Sequence, residues 1–454
     1  MLPHPDEYRN TEATAEMRAV QTLRQAVAAR LGGTDPDPQE LDRLVEEEIS
    51  AWTRQRVAAG LAPVPVADEQ RLAAAVIAAL SGLGGLQPLL DRDDVENIHI
   101  HGHDRVFLEL ADGTVQERHS PVAASDTELE EMLTTMFARL GQTSREFSPA
   151  QPIGTLRLPA GGPLGARLAA VREVTDRPRV AIRRHRLHHA TLDDLRANGT
   201  LDDPVHQFLT AAVAAGANLL VTGGPFAGKT TLLRALCHQI PRLEHVITVE
   251  DDLELGVHLD TGRHPLVTAM EAREANAEGA GQLTLDTLLK QALRHSPSRV
   301  VVGEVRAGEI TAMLRALGNG ATGGMGTLHA LSAHAVPDRI AALGQLADPP
   351  LPIEAAHRWT ASALDFIVHC TRRDTRDSRE RFVSEIVEVG ALGDAATPDL
   401  TTLFAPDPDS GRARPACPPS PPLRARLQEH GLDPTLFHPD QRLPFGNGGG
   451  GPTW

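Results

Sequence analysis

The stretch Asn218–Thr231, NLLVTGGPFAGKTT, decides how the chain folds. Its first half is apolar and strand-prone, and from Gly223 to Thr230 it fits G-x-x-x-x-G-K-[ST]. A helix-forming run, TLLRALCHQI, follows directly. Strand, glycine-rich turn and helix in that order aim backbone N–H groups and the positive end of a helix at one spot, which suits a phosphate. The spacing predicts that Gly223, Gly224, Pro225, Phe226, Ala227 and Gly228 wrap phosphate oxygens, with Lys229, Thr230 and Thr231 opening the helix. Lys229 would place a point charge on the β- and γ-phosphates of ATP, and the Thr230 hydroxyl would bind Mg²⁺. A chance glycine-rich turn would need neither the strand before it nor the helix after it.

Outward from this loop, two more apolar strands end in acids. HVITVEDDLEL runs from Val246 to Val249 and stops on Glu250, Asp251, Asp252 and Glu254. Acids crowded there repel one another unless a cation offsets them. RVVVGEVRAGE places Glu304 and Arg306 after the run Arg299–Val302, at the carboxyl edge of a sheet, where ligands of α/β proteins bind. GGMGTLHALSAH sets His329 behind a glycine-rich turn and a short strand. An isolated histidine is more often structural than functional.

The chain has 454 residues, 41% hydrophobic and 23% charged, which fits a soluble globular protein of two or three domains. With 44 basic against 60 acidic residues the net charge is −16, a poor basis for gripping nucleic acid through a general positive field. Only two of the basic residues are lysines, Lys229 and Lys290, so a lysine retained among so many arginines is a chemical choice. Cys237, Cys370 and Cys417 are scattered and form no zinc or disulfide pattern, which indicates a reducing compartment. No signal peptide and no membrane-length apolar run is evident, so a cytoplasmic protein is expected, with membrane association only through partners.

The organisation expected is a helical extension over 1–60, a small α+β domain over 61–190, a linker over 191–203, an α/β domain over 204–395, and a loosely packed Pro/Gly-rich tail over 396–454. The tail is expected to hold one short helix at 422–430. Strand-like alternation begins near Val95, with turns at Gly102 and at Asp112-Gly113, and a helix is expected over Asp126–Leu140. His99, His101 and His103 alternate in IHIHGHDR, more readily a solvent-facing strand than a metal pair. The one dense basic run is RPRVAIRRHRLHH, residues 177–189.

The ordered set of phosphate loop, VEDDLEL, RVVVGEVRAGE and GTLHA resembles the Walker A, Asp box, Walker B and His box of the type II/IV secretion ATPase superfamily. LLKQALRHSPSRVVVGEVRAGEITAMLRALGNGATGGMGTLHA is similar to the branch serving tight-adherence (Flp-type) pili, as is the N-terminal LQPLLDRDDVENIHIHGHDRVFLE. The resemblance spans about residues 60–395 and departs from the usual pattern at Gly326, Leu331 and the insertion 161–165.

The resemblance implies a RecA-like P-loop ATPase domain preceded by the smaller α+β domain, nucleotide between the two, and assembly as a homo-hexamer. Glu304 is then the Walker B acid acting on Mg²⁺, and Glu250 orients or deprotonates the attacking water. Arg306 and His329 sense or stabilise the γ-phosphate, and Arg157, Arg167 and Arg183 match family arginines that reach the nucleotide. Such ATPases drive pilus assembly or protein secretion through inner-membrane platform proteins, with no direct nucleic-acid contact expected. Alternatives are a conjugation-type ATPase assisting DNA or effector transfer, and a nucleotide-binding scaffold without turnover. A recombinase or helicase would not require the Asp and His boxes.

Overall fold

Three helices come first, Pro5–Leu31, Pro38–Ala58 and Val66–Ser81. The computed structural model describes residues 5–31, 38–81, 83–118, 120–141, 146–184, 190–276, 279–318, 322–375 and 379–438. Leu23 and Val27, Leu44, Val45 and Ile49, and Leu72 and Val76 lie at three- and four-residue spacings along the successive helices and close into one small core. The third helix therefore belongs with the helical extension, which runs to about residue 81 rather than 60.

The chain divides into two compact units, residues 1–186 with 275–280, and residues 187–274 with everything from 281 onward. Beyond its helices the first unit is an antiparallel sheet: β1 (Val95–His101), β2 (Arg105–Leu110), β3 (Val115–Arg118), β4 (Ile153–Leu158), β5 (Ala166–Val171) and β6 (Arg179–Arg184), in the order β3-β2-β1-β6-β5-β4. Ile98, Ile100, Leu108, Leu168 and Ile182 form its buried face, against Leu129, Leu133 and Phe137 of the helix Asp126–Leu140. His99 and His101 alternate with Ile98 and Ile100 and are only half-buried, as period-2 geometry requires. His103 is tied down in the turn that follows, 2.8 Å from Asp126, which Arg177 also grips at 2.6 Å. The last five residues of the basic run, 185–189, lie outside the described residues.

The second unit carries a nine-stranded sheet: β7 (Leu219–Gly223), β8 (Val246–Glu250), β9 (Val267–Glu271), β10 (Arg299–Val305), β11 (Met325–His329), β12 (Phe366–Asp374), β13 (Arg379–Leu392), β14 (Pro398–Pro406) and β15 (Ala413–Pro415). The order is β15-β14-β13-β12-β7-β11-β10-β8-β9, and the six strands from β12 to β9 run parallel. The side chains of β7, β8 and β10 are buried on both faces, which is why these strands read as apolar runs rather than alternations. Leu219 and Val221 enter one core and Leu220 the other. Because β7, β8, β10 and β11 are parallel, Gly223, Glu250, Glu304 and His329 all fall at one edge of the sheet.

Two expectations are corrected here. The segment 191–203 is not an open linker: Leu192–Ala197 is helical behind a capping box, Thr191 with Asp194, and Leu192, Leu195 and Leu201 are buried in the core of the second unit. Nor is the chain beyond 396 loosely packed up to residue 438. β14 and β15 extend the sheet by antiparallel pairing, and Phe404 and Phe437 pack edge-on around Phe208, the first at 5.2 Å. Leu427 of the helix Pro421–Glu429, close to the 422–430 expected, is buried in the same core as Leu432 and Leu436. The prolines cap strands and the helix start without filling strand interiors, so composition misrepresents the packing. Residues 439–454 of the expected tail lie outside the described residues. No helix among the described residues is long and apolar enough to cross a membrane.

Candidate functional site

The loop between β7 and the helix Lys229–His238 has the backbone that phosphate binding demands. A Cβ on Gly223 would sit 2.4 Å from the Cys370 carbonyl oxygen, so no other residue fits where β7 passes β12. Gly228 is the helix N-cap at φ +89°, a left-handed position, and no side chain caps the N–H groups that follow. Those donors and the helix dipole are what an anion needs there. Phe226, at the tip, also has positive φ, +59°, and its ring is exposed. Left-handed backbone in a bulky residue costs on the order of 1 to 3 kcal/mol and persists only where surroundings impose it.

Lys229 is buried and donates to the Gly224 carbonyl at 2.9 Å, with His329 Nδ1 at 3.1 Å. The register that pairs His329 with Gly223 across β11 and β7 brings the histidine there. An ammonium only donates, so Nδ1 accepts and the ring proton sits on Nε2, which faces Glu304 Oε1 at 2.7 Å. Burial, reinforced by the Lys229 charge, lowers the His329 pKa and favours this neutral ring. Glu304 Oε2 is held by the Arg306 guanidinium at 2.5 Å, and Arg306 lies 3.5 Å from Asp251. A continuous chain of polar contacts thus runs from the phosphate loop through the His and Walker B segments to the Asp box.

Glu250 is 2% exposed at the end of β8. Gly303 on the neighbouring strand leaves room for it, since a Cβ there would lie 2.9 Å from Glu250 Cγ. One carboxylate oxygen accepts from the Glu254 and Leu255 amides, both at 2.8 Å, and the other has no hydrogen-bond partner. Burial pushes this carboxyl up to about 7, against the pull of those two amides. A buried base with one unpartnered oxygen and a pKa near neutrality is suited to taking a proton from a water admitted to the site.

Thr230 and Thr231 follow Lys229 in the first helical turn. The hydroxyl of Thr230 and the carboxylate of Glu304 are the hard oxygen donors Mg²⁺ favours, and Mg²⁺ keeps several waters, so a carboxylate already paired to His329 and Arg306 can act on it through water. The donor set therefore fits the ion. In the first unit Arg157, Arg167 and Arg183 are brought together: Arg157 pairs with Arg167 and Arg167 with Arg183 across β4, β5 and β6, one row on one sheet face. Lys290 is separate, exposed on a helix and paired with Asp286 at 2.5 Å, a solvated i,i+4 contact. Leu331 is 95% exposed beside the His segment.

Sequence reasoning missed three groups. Arg234, buried on the phosphate-loop helix, donates to the Leu255 carbonyl at 2.9 Å and so holds the backbone segment that Glu250 grips by its amides. An arginine in the apolar run TLLRALC was the available signal. His369, on β12, contacts Thr222 Oγ1 at 2.9 Å, and burial pushes its pKa down to about 4, so it is a neutral strut. Arg372 and Arg381 reach Phe226 from β12 and β13, which no motif announces.

A family model described as Type II/IV secretion system protein matches residues 80–397. A putative conjugal transfer protein of Mycobacterium tuberculosis is 35% identical over 298 residues, covering 64% of this chain and 81% of that protein. Type IV secretion system protein PtlH of Bordetella pertussis is 28% identical over 330 residues, covering 66% of this chain and 92% of that protein. Among solved structures, the VirB11 ATPase from the Brucella suis type IV secretion system, in complex with sulphate, is 26% identical, covering 69% of this chain and 96% of that chain at a TM-score of 0.35.

Proposed function

The chain belongs to the type II/IV secretion system protein family, and from that premise we propose that it hydrolyses ATP to drive pilus assembly or protein secretion. In this reading it works as a homo-hexamer at the cytoplasmic face of the membrane, held there by inner-membrane platform proteins. The second unit, with the sheet of β7–β15, holds the RecA-like motor domain, and the sheet of β1–β6 belongs to the smaller N-terminal domain. The −16 net charge disfavours direct contact with nucleic acid.

The observation that carries the reading is the contact chain Lys229–His329–Glu304–Arg306–Asp251, which links the phosphate loop to two acid-bearing strand ends. The amides after Gly228 and the Lys229 ammonium bind the phosphates. Glu250 takes the proton of the attacking water through its unpartnered oxygen. His329 and Arg306 lie on either side of Glu304, placed to respond when charge develops on the γ-phosphate. Thr230 and Glu304 would hold Mg²⁺, which neutralises phosphate charge. Arg157, Arg167 and Arg183 stand in one row on the sheet of the first unit, and the nucleotide role that the family resemblance implies for them is part of this proposal.

Replacing Lys229 by Ala is expected to abolish ATP turnover in a phosphate-release assay. Equal rates for variant and wild type would refute the site, and no turnover by wild type would leave the scaffold reading in its place. A second reading, a conjugation-type (type IV secretion) ATPase assisting DNA or effector transfer, is favoured over the tight-adherence branch by the names of the two relatives, a conjugal transfer protein of Mycobacterium and a type IV secretion system protein of Bordetella. A deletion strain separates the two: loss of conjugal DNA transfer supports the second reading, and loss of surface pili supports the first.

A further inference from the structure

Two arginines stand directly opposite one another where β12 and β13 approach the phosphate loop, Arg372 paired with Arg381. Opposed like charges destabilise a strand pair unless a counter-charge offsets them, and Asp374, whose carboxyl both arginines stabilise in its ionised form, supplies one here. Both side chains converge on Phe226. Arg381 Nε donates to the Phe226 carbonyl at 3.0 Å, and the Arg372 guanidinium lies 5.8 Å from the centroid of its ring. Asp374 steadies Arg372 at 2.8 Å. The Arg381 side chain also passes Gly228, approaching to 3.6 Å the point where a Cβ would stand. Phe226 itself holds the left-handed backbone that glycine adopts freely and an aromatic residue does not.

We infer that Arg381, supported by Arg372, is a positioning residue for ATP binding, which fixes Phe226 in its left-handed conformation and with it the orientation of the loop amides. The inference rests on the ATPase reading above. Without the bond to its carbonyl, Phe226 relaxes to negative φ, the Phe226–Ala227 peptide turns, and the amide donors beyond it no longer converge on phosphate. Glycine at 226 needs no such restraint. The two positions are therefore coupled in a way that a merely structural arginine would not be.

The test is a double-mutant cycle on the full chain, reading the dissociation constant for ATP by equilibrium titration, with thermal unfolding as the control for folding. Arg381→Ala is expected to weaken ATP binding about tenfold in the wild-type background but less than about twofold in the Phe226→Gly background. Arg381→Lys, which keeps a donor, is expected to recover part of the loss. Equal weakening in both backgrounds, or none in the wild-type background, overturns the inference while leaving the ATPase reading intact. Wild-type protein that binds no ATP overturns both.

Discussion

A carboxyl group only 2% exposed, with one oxygen unpartnered, keeps its proton up to about neutral pH, and this governs what Glu250 can do. As a base it must be ionised, so turnover is expected to rise with pH through about 7. Glu250→Gln is expected to lower kcat about a hundredfold or more and to erase that limb of the pH profile, both read by phosphate release. Its effect on stability has the opposite sign. A folded pKa above the ordinary 4.5 means that the stabilising contribution is present in acid and lost as pH rises through about 7. That rise corresponds to on the order of 3 kcal/mol, so the Gln variant should unfold at a higher temperature than wild type at pH 8 and at a similar one at pH 5. If the variant is less stable at pH 8, the carboxyl is not held as described. At this scale the motif residues were legible, because strand, loop and helix spacing dictates where Lys229 and Glu304 must stand. The left-handed Phe226, the strut His369 and the clamp Arg234 were not, since each depends on contacts between segments far apart in sequence.

Strands β7, β8 and β10 and the helix Asp126–Leu140 were legible as elements because apolar runs bounded by glycine and acids leave few alternatives. The carboxyl-terminal strands were hidden by composition: β14 is bracketed by Pro398 and Pro406, and its partner β15 is three residues long. Yet Leu403 and Phe404 are fully buried there, in the core that backs the phosphate-loop helix. Phe404→Ala should therefore cost about 3 kcal/mol or more in chemical denaturation, as large-to-small changes in closed aromatic clusters do. A loss below about 1 kcal/mol would mean that β14 is not an integral strand of the unit. The helix at 192–197 was also misread, although its Thr191-x-x-Asp194 start is a recognisable capping box.

At the scale of the whole molecule, the acidic chain concentrates arginine in particular places, including the row on β4–β6 and the pair facing Phe226, and leaves its lysines at 229 and 290. Only Lys229 has chemistry that a planar guanidinium would serve poorly. If the hexamer proposed above forms, light scattering in the presence of ATP should report six times 48.6 kDa, and a monomer at every concentration tested would exclude it. The order of the strands has a further consequence, for the way the protein is made. β7 has β11 and β12 as its two neighbours, and these arrive only at residues 325–329 and 366–374. At roughly 5–20 residues per second, a ribosome needs on the order of ten to thirty seconds to supply both flanks after the phosphate loop has emerged. Until β11 emerges the glycine-rich turn has no neighbouring strand to hold it, and the other flank of β7 stays open until β12 follows. Pairings at such long sequence separation also make folding slow and leave apolar strands exposed while they wait. Lesions in β12 would then first appear as poor yield of soluble protein, before any defect in catalysis could be measured.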